Sequence, residues 1–483
     1  MKGRMKMKQK NGLLAKLAYG SGDIYGGGSF LIVGVLFLVF LTNVEGLSGV
    51  LAGIIIFIGK AWDAITDPFM GIISDRTRTR FGRRRIYFLI GSVPVLISWI
   101  MLWYSFGITG TTAKFIYFTF AFIFFSSAFT IVMVPYNAIL AEMVKDYNKR
   151  SAFTGVRLSF SAGAAILCAI IPPMITGAID DQKEGYLVMA LVFGLVFGVC
   201  WLAVFLGTWE NTRESEDPGF SYKDWLSIFK NKAFRLYAGI FVSSQMAIDV
   251  VMALAVYYVG VTLRKPQLFV PAMAAILIVQ FVFIGIFSVI SQKYGKKVPA
   301  LIAAIVWIVD AVLIFTLSPQ TPDLVVIITC SFIGIGAAGC NLVSWSILPD
   351  ISDVDELITG RRREGLYSGV STFLRKLSGG IVVGAIGLML DAVKYSALAV
   401  KSGNIDPVTD WGVKLMFTVI PLVFLIVMLL ALRKYTLNKQ EFTVMQNVLN
   451  NFRNNGKTAK IDTEYVTVCE QLTGVSAGNL YGN

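Results

Sequence analysis

The chain has 483 residues, of which 55% are hydrophobic and only 15% charged. A water-soluble chain of this length would form two or three domains and carry about a quarter of its residues as charges, so the composition excludes the soluble classes and leaves a polytopic membrane protein. The net charge of +13 would suit a nucleic-acid binder, but the lysines and arginines cluster in short loops between apolar runs, as the positive-inside rule requires, and no nucleic-acid partner is expected.

Crossing the hydrocarbon takes about 20 apolar residues of helix. Taken in order, such stretches lie at 17–42, 48–74, 86–107, 115–142, 153–177, 186–207, 235–262, 268–291, 298–317, 323–348, 366–391 and 410–432. The chain is therefore expected to be an all-α membrane protein with twelve transmembrane helices. The polar stretch from Thr208 to Arg235 divides them six and six: an N-terminal bundle over 1–207, a cytoplasmic middle loop over 208–234, a C-terminal bundle over 235–432 and a polar tail over 433–483. The tail has a short amphipathic piece near Glu441 to Phe452. No cleavable leader is expected, because the basic stretch from Met1 to Lys10 is followed by an apolar run that continues too long.

Orientation follows from the basic residues. The N-terminal tail carries Lys2, Arg4, Lys6, Lys8 and Lys10. The loop after segment 2 carries Arg76, Arg78, Arg80, Arg83, Arg84 and Arg85, and those after segments 4, 8 and 10 carry Lys145, Lys149 and Arg150, then Lys293, Lys296 and Lys297, then Arg361, Arg362 and Arg363. The odd loops are nearly bare, with Lys114 and Lys183 among the few. Both termini are therefore expected on the cytoplasmic side.

The two halves echo each other. Gly82-Arg83-Arg84 after segment 2 matches Gly295-Lys296-Lys297 after segment 8, and Ile139-Leu140-Ala141-Glu142 matches Ile347-Leu348-Pro349-Asp350. Arg157 with Ser161-Ala162-Gly163 in segment 5 parallels Lys376 with Ser378-Gly379-Gly380 in segment 11. An offset of six segments is the pattern of a duplicated six-helix unit, as in major-facilitator transporters, whose substrate site lies between the halves near the midplane.

Charges inside apolar segments are the informative ones. Asp63 and Asp67 stand four apart, on one face of a helix. Two such charges repel by up to about 4 kcal/mol at close range and intermediate dielectric, on top of about 2.5–3.5 kcal/mol for each charge at a bilayer centre. The simplest partner is a small cation. The other charges are Asp23 among Gly22, Gly26, Gly27 and Gly28, Lys60 in segment 2, Arg157 in segment 5, Asp249 in segment 7, Asp310 in segment 9, and Arg375 and Lys376 in segment 11. Two readings stand open for them: they hold substrate, or they neutralise one another to hold the bundle. For Asp310 the structural reading is favoured. The absence of histidine, and five cysteines (Cys168, Cys200, Cys330, Cys340, Cys469) without a C-x-x-C pair, leave no metal cluster or nucleophilic triad. Neither an enzyme nor a resident cofactor is expected.

Three runs, KAWDAITDPFMGIISDRTRTRFGRRR, VPYNAILAEMVKDYNKRSAFTGVR and SILPDISDVDELITGRRREGLYSG, resemble the glycoside–pentoside–hexuronide:cation symporter family of the major facilitator superfamily, and the resemblance reaches to about Arg433. It implies secondary active symport of a glycoside, pentoside or hexuronide, coupled to sodium or a proton, across a bacterial inner membrane. By position, Asp63 and Asp67 match the family's paired cation-site acids, Thr130 a hydroxyl ligand on segment 4, and Thr66 the place beside the acids. Carboxylates and hydroxyls suit a hard cation such as sodium, and a carboxylate can equally take a proton. Asp23 matches the sugar-binding acid, and Arg157, Trp345 and Lys376 match residues lining the sugar cavity. Tyr136, Asn137, Lys60 and Asp249 complete the expected substrate set.

The sequence departs from the family's best-known sugar carrier in three places. Met133 stands where that carrier has a second sugar-binding acid, Asn137 follows Pro135-Tyr136 where it has tryptophan, and Asp249 replaces an asparagine. A charged acceptor is lost, while Lys60, Arg157 and Lys376 remain as partners for an anionic uronide. Ion pairs among Asp75 and the arginine block (Arg83 within it), Glu142, Asp146, Asp350, Asp353, Asp355 and Arg361 to Arg363 are expected to close an inner gate. The partners implied are a small sugar, a monovalent cation and membrane lipids, with the protein a monomer. A sodium-coupled lysolipid symporter of the same fold and a transporter-like sugar sensor are the competing readings.

Overall fold

The computed structural model of the chain describes residues 12–144, 147–210, 227–361, 363–455 and 463–482, without the side chains of 75, 141, 142, 147–151, 439, 463 and 464. Twelve helices among the described residues are long and apolar enough to span a membrane. In chain order they are α1 Leu13–Phe37, α2 Gly49–Ser74, α3 Arg85–Trp103, α4 Thr111–Leu140, α5 Ala152–Ala178, α6 Gln182–Gly207, α7 Lys232–Thr262, α8 Pro266–Tyr294, α9 Lys297–Thr316, α10 Asp323–Thr359, α11 Glu364–Ala392 and α12 Pro407–Lys434. No strand occurs among the described residues.

The helices assort into two compact units, Met1–Glu216 with Val383–Thr409, and Asp217–Val382 with Asp410–Asn483. In the first, α2 and α3 pack on α4, α1 on α5, and α3 on α6. In the second, α8 and α9 both pack on α10, as α2 and α3 do on α4. The same neighbours recur six helices apart, which is what a duplicated unit produces.

The division passes through α11, and close packing within the first unit explains why. A Cβ on Gly49 would sit 2.4 Å from the carbonyl oxygen of Gly387, and one on Gly53 would sit 3.0 Å from Gly384. Glycine alone permits backbones to approach this closely. Asp391 completes the contact: its Oδ1 accepts from the Gly49 amide at 2.7 Å and its Oδ2 from the Val50 amide at 2.9 Å. These are amides of the first turn of α2, which have no partner within the helix and attract a carboxylate.

Helix α10 runs well past the apolar stretch expected at 323–348. Its added turns are amphipathic, with Ile351, Val354 and Leu357 fully buried, and they end at Gly360, whose φ of +67° is a conformation glycine adopts without strain. Beyond α12 the tail folds as two helices, α13 Lys439–Asn455 and α14 Thr463–Thr473. The amphipathic piece expected there is part of α13, which buries Met445, Val448, Leu449 and Phe452.

Candidate cation and substrate site

Helix α2 can lie against α4 because Gly59 has no side chain: a Cβ there would fall 1.7 Å from the ring of Phe122. At the same level the Ser126 hydroxyl donates to the Gly59 carbonyl at 3.2 Å, and Trp62 Nε1 donates to Ser127 at 2.9 Å. One turn further on, Asp63 and Asp67 meet Thr130. The Thr130 Oγ1 lies 2.7 Å from Asp63 Oδ1 and 2.8 Å from Asp67 Oδ1. A hydroxyl has one proton to donate. It can therefore satisfy one of the two carboxyls at a time. Pro68 adds to this, since it lacks the amide that the carbonyl of Ala64 would otherwise accept from.

Lys60 stands on the same face of α2, about one turn before Asp63, and is partly buried. The Thr66 hydroxyl points back onto its own helix, donating to the carbonyls of Trp62 at 3.0 Å and Asp63 at 3.3 Å.

The second cluster of this unit forms around α1. Its glycines admit neighbours: a Cβ on Gly22 would meet the Tyr136 ring, and one on Gly26 would meet both Asp23 Oδ1 and Met133 at 2.7 Å. Asp23, 6% exposed, receives Arg157 Nη2 at 3.1 Å, and the same nitrogen donates to Asn137 Oδ1 at 2.8 Å. The guanidinium lies 4.7 Å above the Tyr136 ring. Tyr136 is itself fixed by stacking on Tyr19 and donating to the Tyr19 carbonyl at 2.7 Å. The structure thus joins Asp23, Arg157, Asn137 and Tyr136 in one cluster, with Met133 at its edge. Thr130, Met133 and Asn137 follow one another along one face of α4, so one helix serves both clusters.

In the second unit, Arg375 grips Asp249 with both nitrogens, Nη1 to Oδ2 at 2.6 Å and Nη2 to Oδ1 at 2.8 Å. Gln245, one turn before Asp249, donates to Asn341 at 3.2 Å, one turn before Trp345. Trp345 is 48% exposed and sets its ring edge-on to Phe241 at 5.3 Å. Lys376 is half-buried beside Arg375. Sequence reasoning passed over Gly59, Ser126, Gln245 and Asn341. Their signal is the helical repeat: each lies four residues before an assigned residue.

The family of MFS/sugar transport proteins matches residues 18–439. The chain belongs to that family. A putative glycoside/cation symporter, YagG, of Escherichia coli (strain K12) is 28% identical, over 87% of this chain and 91% of its own length. The sodium-dependent lysophosphatidylcholine symporter 1 of Gallus gallus is 24% identical, over 96% of this chain and 94% of its own. Among solved structures, the inward-open xylose transporter XylE from E. coli superposes with a TM-score of 0.61 at 15% identity, covering 88% of this chain and 96% of that one, and so shares the fold. The protein is a multi-pass membrane transporter of the major facilitator fold and not an enzyme.

The charges expected at an inner gate of this MFS transporter have these partners. Asp350 takes Lys296 Nζ on both oxygens, at 2.8 and 2.7 Å. Asp355 takes Arg363 through Nε at 2.8 Å and Nη2 at 2.6 Å, and the Tyr367 hydroxyl at 2.8 Å. Asp353 receives Gln446 at 2.7 Å, and Glu356, which the sequence reading did not include, receives Arg453 at 2.7 and 2.6 Å, both from the tail helix α13. Arg83 contributes its backbone: the amides of Arg83, Arg84 and Arg85 all donate to Glu210, at 2.7, 2.8 and 2.7 Å, which caps α3 with a residue from beyond α6. The side chains of Asp75 and Glu142, and residues Asp146 and Arg362, lie outside the described ones.

Proposed function

We propose that the protein carries a sugar or glycoside together with a sodium ion or proton, by alternating access, in a bacterial cell membrane with both termini cytoplasmic. The observation that carries this reading is the single Thr130 hydroxyl between two carboxylates, the buried Asp63 and the half-buried Asp67. Asp63, Asp67 and Thr130 would bind the cation, and Asp23, with Arg157, Asn137 and Tyr136, would bind substrate hydroxyls. From Thr130 to Asn137 is seven residues, about 10 Å along a helix. A cation that draws α2 and α4 together therefore also sets the position of Asn137 and, through Arg157, of Asp23. Such coupling is reciprocal and typically worth about 1–3 kcal/mol.

The test is uptake by reconstituted protein with and without a sodium gradient. Asp63→Asn is expected to abolish stimulation by the cation while leaving sugar binding detectable, and sodium stimulation that survives in this variant would sink the assignment. The substrate is found by thermal unfolding across a panel of glycosides, pentosides and uronides, where a ligand at about 100 times its dissociation constant adds roughly 2.7 kcal/mol. The relationship to the chicken lysophosphatidylcholine symporter supports one alternative cargo, a lysolipid, so lysophosphatidylcholine belongs in the panel. Stabilisation by it and by none of the sugars would favour that reading.

A further inference from the structure

Where α9 begins and α12 ends, the tail helices α13 and α14 lie over the second unit and leave a polar cavity of about 170 Å3 between themselves and the bundle. At roughly 30 Å3 of liquid volume per water, this is room for several waters or one small polar group. Lys297, the first residue of α9, and Arg433, near the end of α12, line its bundle side. Asn438, Glu441 and Gln471 line its tail side. The charges in it are unmatched in opposite senses. Arg433 makes no hydrogen bond or ion pair among the described residues, and Lys297 Nζ donates only to the Tyr435 carbonyl, at 3.3 Å. Glu441 Oε2 is buried without a donor, an arrangement that costs free energy until something supplies one.

A ligand that answers both needs carries a cationic N–H for Glu441 and anionic oxygens for Lys297 and Arg433. Inorganic phosphate lacks the first, and a simple amine lacks the second. The place matters too: the first residue of one span and the end of another mark the depth of lipid headgroups, where basic side chains meet phosphates. We propose that this seam binds an ethanolamine phosphate group and that its occupant fastens the tail to the membrane face of the second unit. Both walls of the cavity then share one ligand through charge-assisted hydrogen bonds. The group can arrive as a phosphatidylethanolamine headgroup or as soluble phosphoethanolamine.

The experiment is amide hydrogen exchange in α13 of the full-length protein, in nanodiscs of phosphatidylcholine alone, or with added phosphatidylethanolamine or phosphatidylglycerol. Phosphatidylethanolamine is expected to slow exchange about tenfold, the effect of a ligand at about ten times its dissociation constant. Phosphatidylcholine has no N–H on its amine and phosphatidylglycerol has no amine, so neither should match it. In detergent, soluble phosphoethanolamine that reproduces the slowing identifies the soluble source, and slowing by the lipid alone identifies the headgroup. Glu441→Gln and Lys297→Gln should each remove the difference between lipids. A general loosening of the tail in either variant would appear in every lipid and cancel. Equal exchange in all lipids and with phosphoethanolamine overturns the proposal. So does a phosphatidylethanolamine effect that survives both substitutions, or slowing by inorganic phosphate that Glu441→Gln leaves unchanged.

Discussion

Each unit sets an acid of its first helix against an arginine of its fifth, but the two pairs are built differently. In the first unit Arg157 reaches Asp23 through one nitrogen at 3.1 Å and shares that nitrogen with Asn137. In the second, Arg375 and Asp249 are joined by two short parallel bonds at 2.6 and 2.8 Å. A fork-to-fork pair satisfies both oxygens and both nitrogens and resists exchange. A single shared contact leaves Asp23 Oδ2 without a hydrogen bond among the described residues, so a sugar hydroxyl can donate to it without first breaking a pair. The two pairs thus do different jobs: in one unit the pair leaves an acceptor open, in the other it holds helices together.

The largest expected effect comes from removing the offered acceptor. Asp23→Asn should lower substrate uptake by about 30- to 100-fold, the loss of a charge-assisted bond worth on the order of 2–3 kcal/mol, with a smaller change in thermal unfolding of the empty protein than at Asp249, because Arg157 keeps Asn137 and the Tyr136 ring. Asp249→Asn should do the reverse and destabilise the protein by about 2 kcal/mol, because it leaves Arg375 without its counter-charge. The double variant Asp249→Asn/Arg375→Gln should recover part of that stability, a coupling that a double-mutant cycle measures. If Asp249→Asn instead cost uptake and left unfolding unchanged, both pairs would face substrate and the contrast would fail.

A smaller effect is expected where two carboxylates share one hydroxyl. Thr130→Ala should weaken cation binding about tenfold, roughly 1.4 kcal/mol, read as the sodium concentration or pH at half-maximal uptake, and Thr130→Ser should restore most of it. Gly59→Ala tests whether the approach of α2 to α4 sets that geometry. Its new methyl group meets the Phe122 ring and should cost about 1–3 kcal/mol of overpacking, with weaker cation stimulation while Asp63, Asp67 and Thr130 are all intact. The smallest change is Asn137→Ala, which should free Arg157 to bond Asp23 more fully and reduce substrate affinity a few-fold, about 1 kcal/mol.

Much of this was legible in the residues. Long apolar runs mark spans because backbone polar groups in lipid can be satisfied only within a helix, and the runs at 48–74 and 115–142 already carry Asp63, Asp67 and Thr130. The polar end of α10 was not legible as helix. Its acidic sequence reads as a loop by hydropathy, and only the burial of Ile351, Val354 and Leu357 against the rest of the second unit makes it one. The gate charges were found by type, but their partners lie 54 residues apart for Lys296 and Asp350 and 93 for Gln446 and Asp353.

By itself the sequence determined the membrane class, the spans, the duplicated plan and the family, because each rests on local composition and on short motifs. The tertiary structure alone decided that one threonine serves two aspartates, that Arg375 holds Asp249, that Asp391 caps α2, and that the tail takes up Glu356. Helical periodicity says which residues share a face. It does not say how two helices are turned and slid against each other, and that register is set by where a missing side chain lets two backbones meet, as at Gly49 and Gly53, or admits a neighbour's side chain, as at Gly59.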